Sequence, residues 1–254
     1  MSSALKWSLS IATGLAIVVV AAFFYQRSVA PTAPVMTSSN DAVELHPALD
    51  AGLVLVAEGR LDEARASFSK VPRGDPSYVL AAKNLAAVEL RSGRFGAAET
   101  ILESLTQLRP DDVELHARLG EVRYRLGRYE AAELSALRAL EIDPTMDAQR
   151  FAVGLYRTAQ EQLAGATQIY ERVMGTTGDR EQVMSALEQL VEFHDEQPNS
   201  LAIHYVLAFF AHKIGHDALE VEELRHYLAA GSSGPAVALA RRRLHEMDPD
   251  AAAD

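Results

Sequence analysis

Apolar positions recur at helical spacing along most of the chain. Between Val113 and Thr145, Leu115, Leu119, Val122 and Leu126 fall at i, i+4, i+7 and i+11, one face of a helix. Gly127 and Arg128 follow, and glycine there relieves the strain of a tight left-handed turn. A second stripe of Ala132, Ala136, Ala139 and Leu140 marks another helix, whose small side chains let the pair approach closely. Pro144 is expected to close this unit and open the next, since proline is tolerated in the first turn of a helix. The pattern therefore predicts two amphipathic helices joined by a short turn.

The same pattern returns every 34 residues. Gly59, Gly93 and Gly127 share that spacing, as do Pro76, Pro110 and Pro144, and Ala64, Ala98, Ala132 and Ala166. Three residue types at one period imply a repeat whose units bury their apolar faces against each other. Leu119, Gly120, Tyr124, Gly127, Tyr129, Ala132, Ala139 and Pro144 resemble the tetratricopeptide repeat, with Arg123 in the slot where that family carries an aromatic residue. Unit 45–78 matches through Gly52, Gly59, Ala64, Phe68 and Pro76. Unit 79–112 matches through Leu85, Gly93, Phe95, Ala98 and Pro110. Unit 113–146 is the clearest. Unit 147–180 keeps Gly154, Ala166, Tyr170 and Val173, but Glu161 replaces the turn glycine and Gly178 the closing proline.

Beyond that the register breaks. An extra helix is expected over 180–197, a divergent repeat over 201–230 around Gly215, and a capping helix over 235–247. The Arg241-Arg242-Arg243 run of that last helix suits a face turned to water. The fold expected is all-α, a solenoid of helix-turn-helix repeats over 45–250.

The start of the chain reads differently. After a flank of residues 1–6, Trp7 to Tyr25 carry no charge, and the 19 residues just span a hydrocarbon core of about 30 Å as a helix. Trp7 and Tyr25 stand at its ends, where amphipathic rings favour the membrane boundary. A cleaved signal peptide is the rival reading. However, the small-residue sites ending at Ala30 and Ala33 are each followed by proline, and Val20-Ala21-Ala22 lies inside the apolar run. The expectation is a single uncleaved transmembrane helix over 7–25. Residues 26–44, with Pro31, Pro34 and Thr37-Ser38-Ser39-Asn40, read as a linker reaching about 25 Å. The weak charge bias of Lys6 against Arg27 places the repeats outside the cytoplasm, as on a bacterial inner membrane facing the periplasm.

Charge narrows the partners. The chain carries a formal net charge of −11, and beyond Lys6 and Arg27 it holds 22 basic against 35 acidic side chains. Such a surface repels a phosphate backbone, so nucleic acid is not expected as a partner. There is no cysteine, which excludes disulfides, thiolate metal sites and a thiol nucleophile. No phosphate-binding glycine loop, G-x-S-x-G elbow or H-E-x-x-H motif is present, so no enzyme is expected and no catalytic residue is assigned. His212-x-x-x-His216 has metal-ligand spacing, but Gly215 is placed to end the helix between them. His194, His204 and His226 come from the same region, and a metal or haem carrier is one alternative function. Surface histidines are the expected reading, with no metal or cofactor, and Glu222 and Glu223 are expected on a solvated face.

In tetratricopeptide domains the first helices of successive units line a concave groove that holds a peptide or partner element. The resemblance places Lys83, Asn84, Ala87, Leu90 and Arg91 of the second unit there. It adds Arg118, Glu121 and Arg125 of the third and Phe151 and Leu155 of the fourth. Each set keeps to one side of a helix. The expected groove is basic with an apolar end, suited to an acidic or extended peptide segment. The function implied is a membrane-anchored scaffold for protein–protein interaction in envelope assembly, with a holdase-like chaperone of the secretion machinery as another alternative.

Overall fold

The computed structural model describes residues 45–176, 180–197, 200–229 and 235–248. The expected membrane helix 7–25 and linker 26–44 lie outside the described residues. No helix among those described is long and apolar enough to cross a membrane. The described residues form twelve α-helices and no strand. The first four pairs are α1 (Pro47–Ala57) with α2 (Leu61–Phe68), α3 (Tyr78–Arg91) with α4 (Phe95–Leu108), α5 (Val113–Arg125) with α6 (Tyr129–Ile142), and α7 (Asp147–Ala159) with α8 (Leu163–Thr176). Then come α9 (Arg180–Glu196), the pair α10 (Leu201–Ile214) and α11 (Asp217–Ala229), and α12 (Pro235–Met247).

The turns inside the pairs are backbone-determined. Gly59, Gly93 and Gly127 have φ of 76°, 70° and 71°, and nothing lies within 4 Å of where a Cβ would stand. Their reason is the left-handed conformation, not space. Glu161 occupies the same slot in the fourth pair and adopts the same conformation at φ 60°. Pro76, Pro110 and Pro144 lie in the connections between pairs, ahead of α3, α5 and α7, and not within a helix's first turn as expected. There they interrupt the chain where no ladder hydrogen bond is needed.

Close approach within a pair is also specified by residue size. A Cβ on Gly52 would stand 2.3 Å from the Phe68 ring, and one on Gly154 would stand 2.6 Å from Tyr170. Each glycine on a first helix receives the aromatic ring of its second helix. Pairs then stack in sequence: α2 on α3, α4 on α5 and α6 on α7. Leu102, Leu105, Leu115, Leu119 and Val122 fill one such interface and are essentially inaccessible.

The regular stack continues through α10, which packs on both α7 and α8, the place of a next first helix. Helix α9 is an insertion. It packs on α7 and α10, and its Leu190 and Phe193 are buried with Phe151, Leu155 and Tyr156 of α7. Helix α12 closes the stack, with Val237, Ala240 and Leu244 buried against Leu224 and Tyr227 of α11. Arg241 and Arg242 face solvent, whereas Arg243 turns inward to the buried Glu220 at 2.7 Å.

Candidate functional site

Helices α1, α3, α5 and α7 present equivalent slots 34 residues apart. One slot holds Leu53, Ala87, Glu121 and Leu155, and another holds Ala57, Arg91, Arg125 and Ala159. We call the face of the first helices that carries these slots the inner face; its two ends differ.

Over α1 and α3 the face is open. Leu53 is 37% exposed and Leu80 44%. Arg91 is exposed, and Lys83, Asn84, Ala87 and Leu90 are partly exposed. Asn84 donates to the Leu80 carbonyl of its own helix at 2.8 Å.

Over α5 the charges are matched within the chain. Lys83 reaches Asp112 at 2.7 Å and Glu114 at 3.0 Å, and Arg118 pairs with Glu114 at 2.8 Å. Burial pushes the Lys83 ammonium down, but its bonds to Asp112 and Glu114 outweigh that and hold it above the ordinary lysine value. Burial likewise pushes Glu114 up, while hydrogen bonds from Lys83 and Arg118 and their charges bring it below the usual carboxylate range. Arg125 donates to Glu192 of α9 at 2.9 Å. Of the cations expected in the groove, Lys83 and Arg118 therefore pair with acids at and within the start of α5 and Arg125 with an acid of α9, while Arg91 is exposed. Glu121 stays exposed, and its charge adds to the burial that raises the Tyr156 hydroxyl.

Over α7 the face is filled. Phe151 and Leu155 were expected as an exposed apolar end, yet they are only 3% and 4% accessible. Helix α9 covers them. The Tyr124 ring stands 6.3 Å from Phe193 and 5.4 Å from Tyr156, and Gln197 just beyond α9 bonds the Tyr129 hydroxyl at 2.8 Å. An apolar slot on a first helix needs a cover, and here the chain supplies its own.

A second arrangement joins adjacent pairs away from this face. Arg123, in the slot expected to be aromatic, reaches Glu99 at 3.4 Å, Glu103 at 2.8 Å and the Ser135 hydroxyl at 2.8 Å. One repeat on, Arg157 reaches Glu133 at 2.8 Å, and Gln160 bonds the same carboxylate at 2.9 Å. An aromatic packing position has become a repeated arginine–glutamate rung between adjacent pairs. The signal was available, because Arg123 and Arg157 and Glu99 and Glu133 each stand 34 residues apart.

The histidines sort differently from their spacing. Gly215, at φ 73°, ends α10 between His212 and His216. His212 turns to Glu220 and Arg243, and His216 accepts from the Leu219 amide at the start of α11. The structure instead brings together His204, Glu223 and His226. His204 lies 2.7 Å from Glu223, and its ring is 5.1 Å from those of both His226 and His194. Glu222 is on the solvated face as expected, while the Glu223 side chain is only 13% exposed.

The stacked pairs and the open inner face define an α-solenoid of the tetratricopeptide type, a class of scaffold that is typically non-enzymatic. Comparison with known proteins agrees on the repeats. The family model described as Tetratricopeptide repeat matches residues 49–103 and 83–147. Tetratricopeptide repeat protein 7B of Homo sapiens is 30% identical over 102 residues, 40% of this chain, which spans only 12% of that protein's length. Among solved structures, a tetratricopeptide repeat protein from Parabacteroides merdae covers 81% of this chain and 88% of its own, at 13% identity and a TM-score of 0.51. The MamA MSR-1 structure covers 80% of this chain and 95% of its own, at 18% identity and a TM-score of 0.46. The chain carries tetratricopeptide repeats, and its fold is that of the Parabacteroides protein.

Proposed function

We propose that this chain is a membrane-tethered interaction scaffold that takes an extended segment of a partner protein on the open inner face over α1 and α3. The observation that carries the reading is the asymmetry of that face. Leu53 and Leu80 stand exposed among Leu90, Asn84 and Arg91, while Leu155, which fills the α7 slot equivalent to that of Leu53, is buried with Leu190 and Phe193 of α9. Exposed leucines on the first helices of two successive pairs match an extended segment with apolar residues, and Arg91 matches a carboxylate on it. Glu121 borders the face at its third unit. The tether in this reading is the uncharged run Trp7–Tyr25 at a bacterial inner membrane, with the repeats outside the cytoplasm at the end of a linker.

Arg118 and Arg125 are poor probes, since reversing either breaks an in-chain pair. The test is affinity purification of the full chain from detergent-solubilised membranes, with partners quantified by mass spectrometry for wild type and L80E/R91E. The double variant is expected to retain its helical circular dichroism and to lose a stoichiometric partner at least about tenfold, the effect of removing one interface contact cluster of roughly 1.4 kcal/mol or more. Equal recovery of that partner would overturn the assignment.

A further inference from the structure

We propose that His204, Glu223 and His226 form a binding site for a divalent transition metal of the zinc type, with His194 of α9 as a further ligand. Glu223 and His226 stand three residues apart on α11, so one helical turn projects both toward the same side. His204 comes from α10. One ligand atom of each of the three lies within 4.8 Å of the other two. Tetrahedral zinc with bonds of about 2.0 Å to nitrogen and oxygen needs ligand atoms about 3.3 Å apart, a closure that side-chain rotation supplies. The His204 Nδ1 and Glu223 Oε2 atoms are 2.7 Å apart in a hydrogen bond, and a bound metal replaces that contact with two coordinate bonds.

The setting fits a metal site more than a surface ion pair. His204 is 9% exposed and the Glu223 side chain 13%, so their charges and lone pairs are held in a partly desolvated pocket, while the exposed His226 leaves an entry route. The donors are imidazole and carboxylate, the set that suits zinc, nickel, copper and cobalt, and a chain without cysteine offers no thiolate to compete. His194 is the third imidazole. Its ring meets that of His204 edge to face at 5.1 Å, and its neighbour Phe193 is the α9 ring buried with Phe151 and Leu155 of α7. A metal held by His194 ties α9 to α10 and α11. It thereby fastens the helix that covers the inner face over α7.

The experiment uses the purified full chain after treatment with a chelator. Cobalt(II) is titrated in as a spectroscopic stand-in and zinc is then added to displace it. Wild type is expected to bind one cobalt per chain with the visible absorption of a tetrahedral site. H226A changes an exposed side chain and keeps the fold. It is expected to weaken binding at least about tenfold, since even indirect partners of a metal contribute that much. H212A/H216A, the pair with helical spacing, is expected to bind as wild type does. H194A is expected to weaken binding and to change the cobalt absorption. Unchanged affinity in H226A, absence of cobalt binding at millimolar metal, or loss of binding in H212A/H216A overturns the site. Unchanged affinity and spectrum in H194A overturn the link to α9.

Discussion

Glu161 shows what a single residue carries in this fold. Its left-handed backbone is the one that Gly59, Gly93 and Gly127 adopt without a side chain. For a residue with a Cβ that conformation costs about 1–2 kcal/mol, and glycine's greater freedom in the unfolded chain takes back roughly 0.5–1 kcal/mol. Glu161→Gly is therefore expected to stabilise the fold by about 0.5–1 kcal/mol, seen as a higher urea midpoint at an unchanged slope. A midpoint at or below that of wild type would refute this account of the turn. The turn was readable from sequence because a φ requirement is local. The arginine–glutamate rungs at Arg123 and Arg157 do not follow from the repeat pattern, which calls for a ring at that slot. The structure satisfies the slot by charge-assisted hydrogen bonds to half-buried acids instead.

Among the elements, α9 departs most from repetition. Its periodicity marks it plainly as a helix, and residues 180–197 were expected to form one. Which surface it covers does not follow from periodicity, since an extra helix between two repeats can dock on either side of the stack. The decision lies in complementary partners: Phe193 and Leu190 against Phe151 and Leu155, and Glu192 against Arg125. Phe193→Ala removes the largest of these and is expected to cost about 3–5 kcal/mol locally. In a solenoid each unit touches only its neighbours, so amide hydrogen exchange should rise in α9 and α7 and stay unchanged in α1 to α4. A uniform rise along the chain would show that α9 is not a separable cover.

For the whole molecule, stability is a sum of pairs and the interfaces between them. The Lys83–Asp112–Glu114–Arg118 network crosses one such interface, so acid should loosen the stack there. Glu114 is held below its ordinary value, so its contribution is present above the unfolded carboxylate value of about 4.3 and is lost as pH falls through the lower folded value. The gap in urea midpoint between wild type and E114Q is thus expected to be full at pH 7 and to close below about pH 4. A gap independent of pH would remove Glu114 from the account. Lys83, held above its ordinary value, loses its share only as pH rises beyond the unfolded lysine value of about 10.4. By itself the sequence determined the helices, the turns between them and the 34-residue stacking, because apolar periodicity, φ preference and close approach act over a few residues. Tertiary structure alone decided that α9 fills the inner face over α7, that Lys83 and Arg125 meet acids of other elements, and that His204, Glu223 and His226 converge. Each of those depends on distances between helices far apart in the chain, which no local pattern encodes.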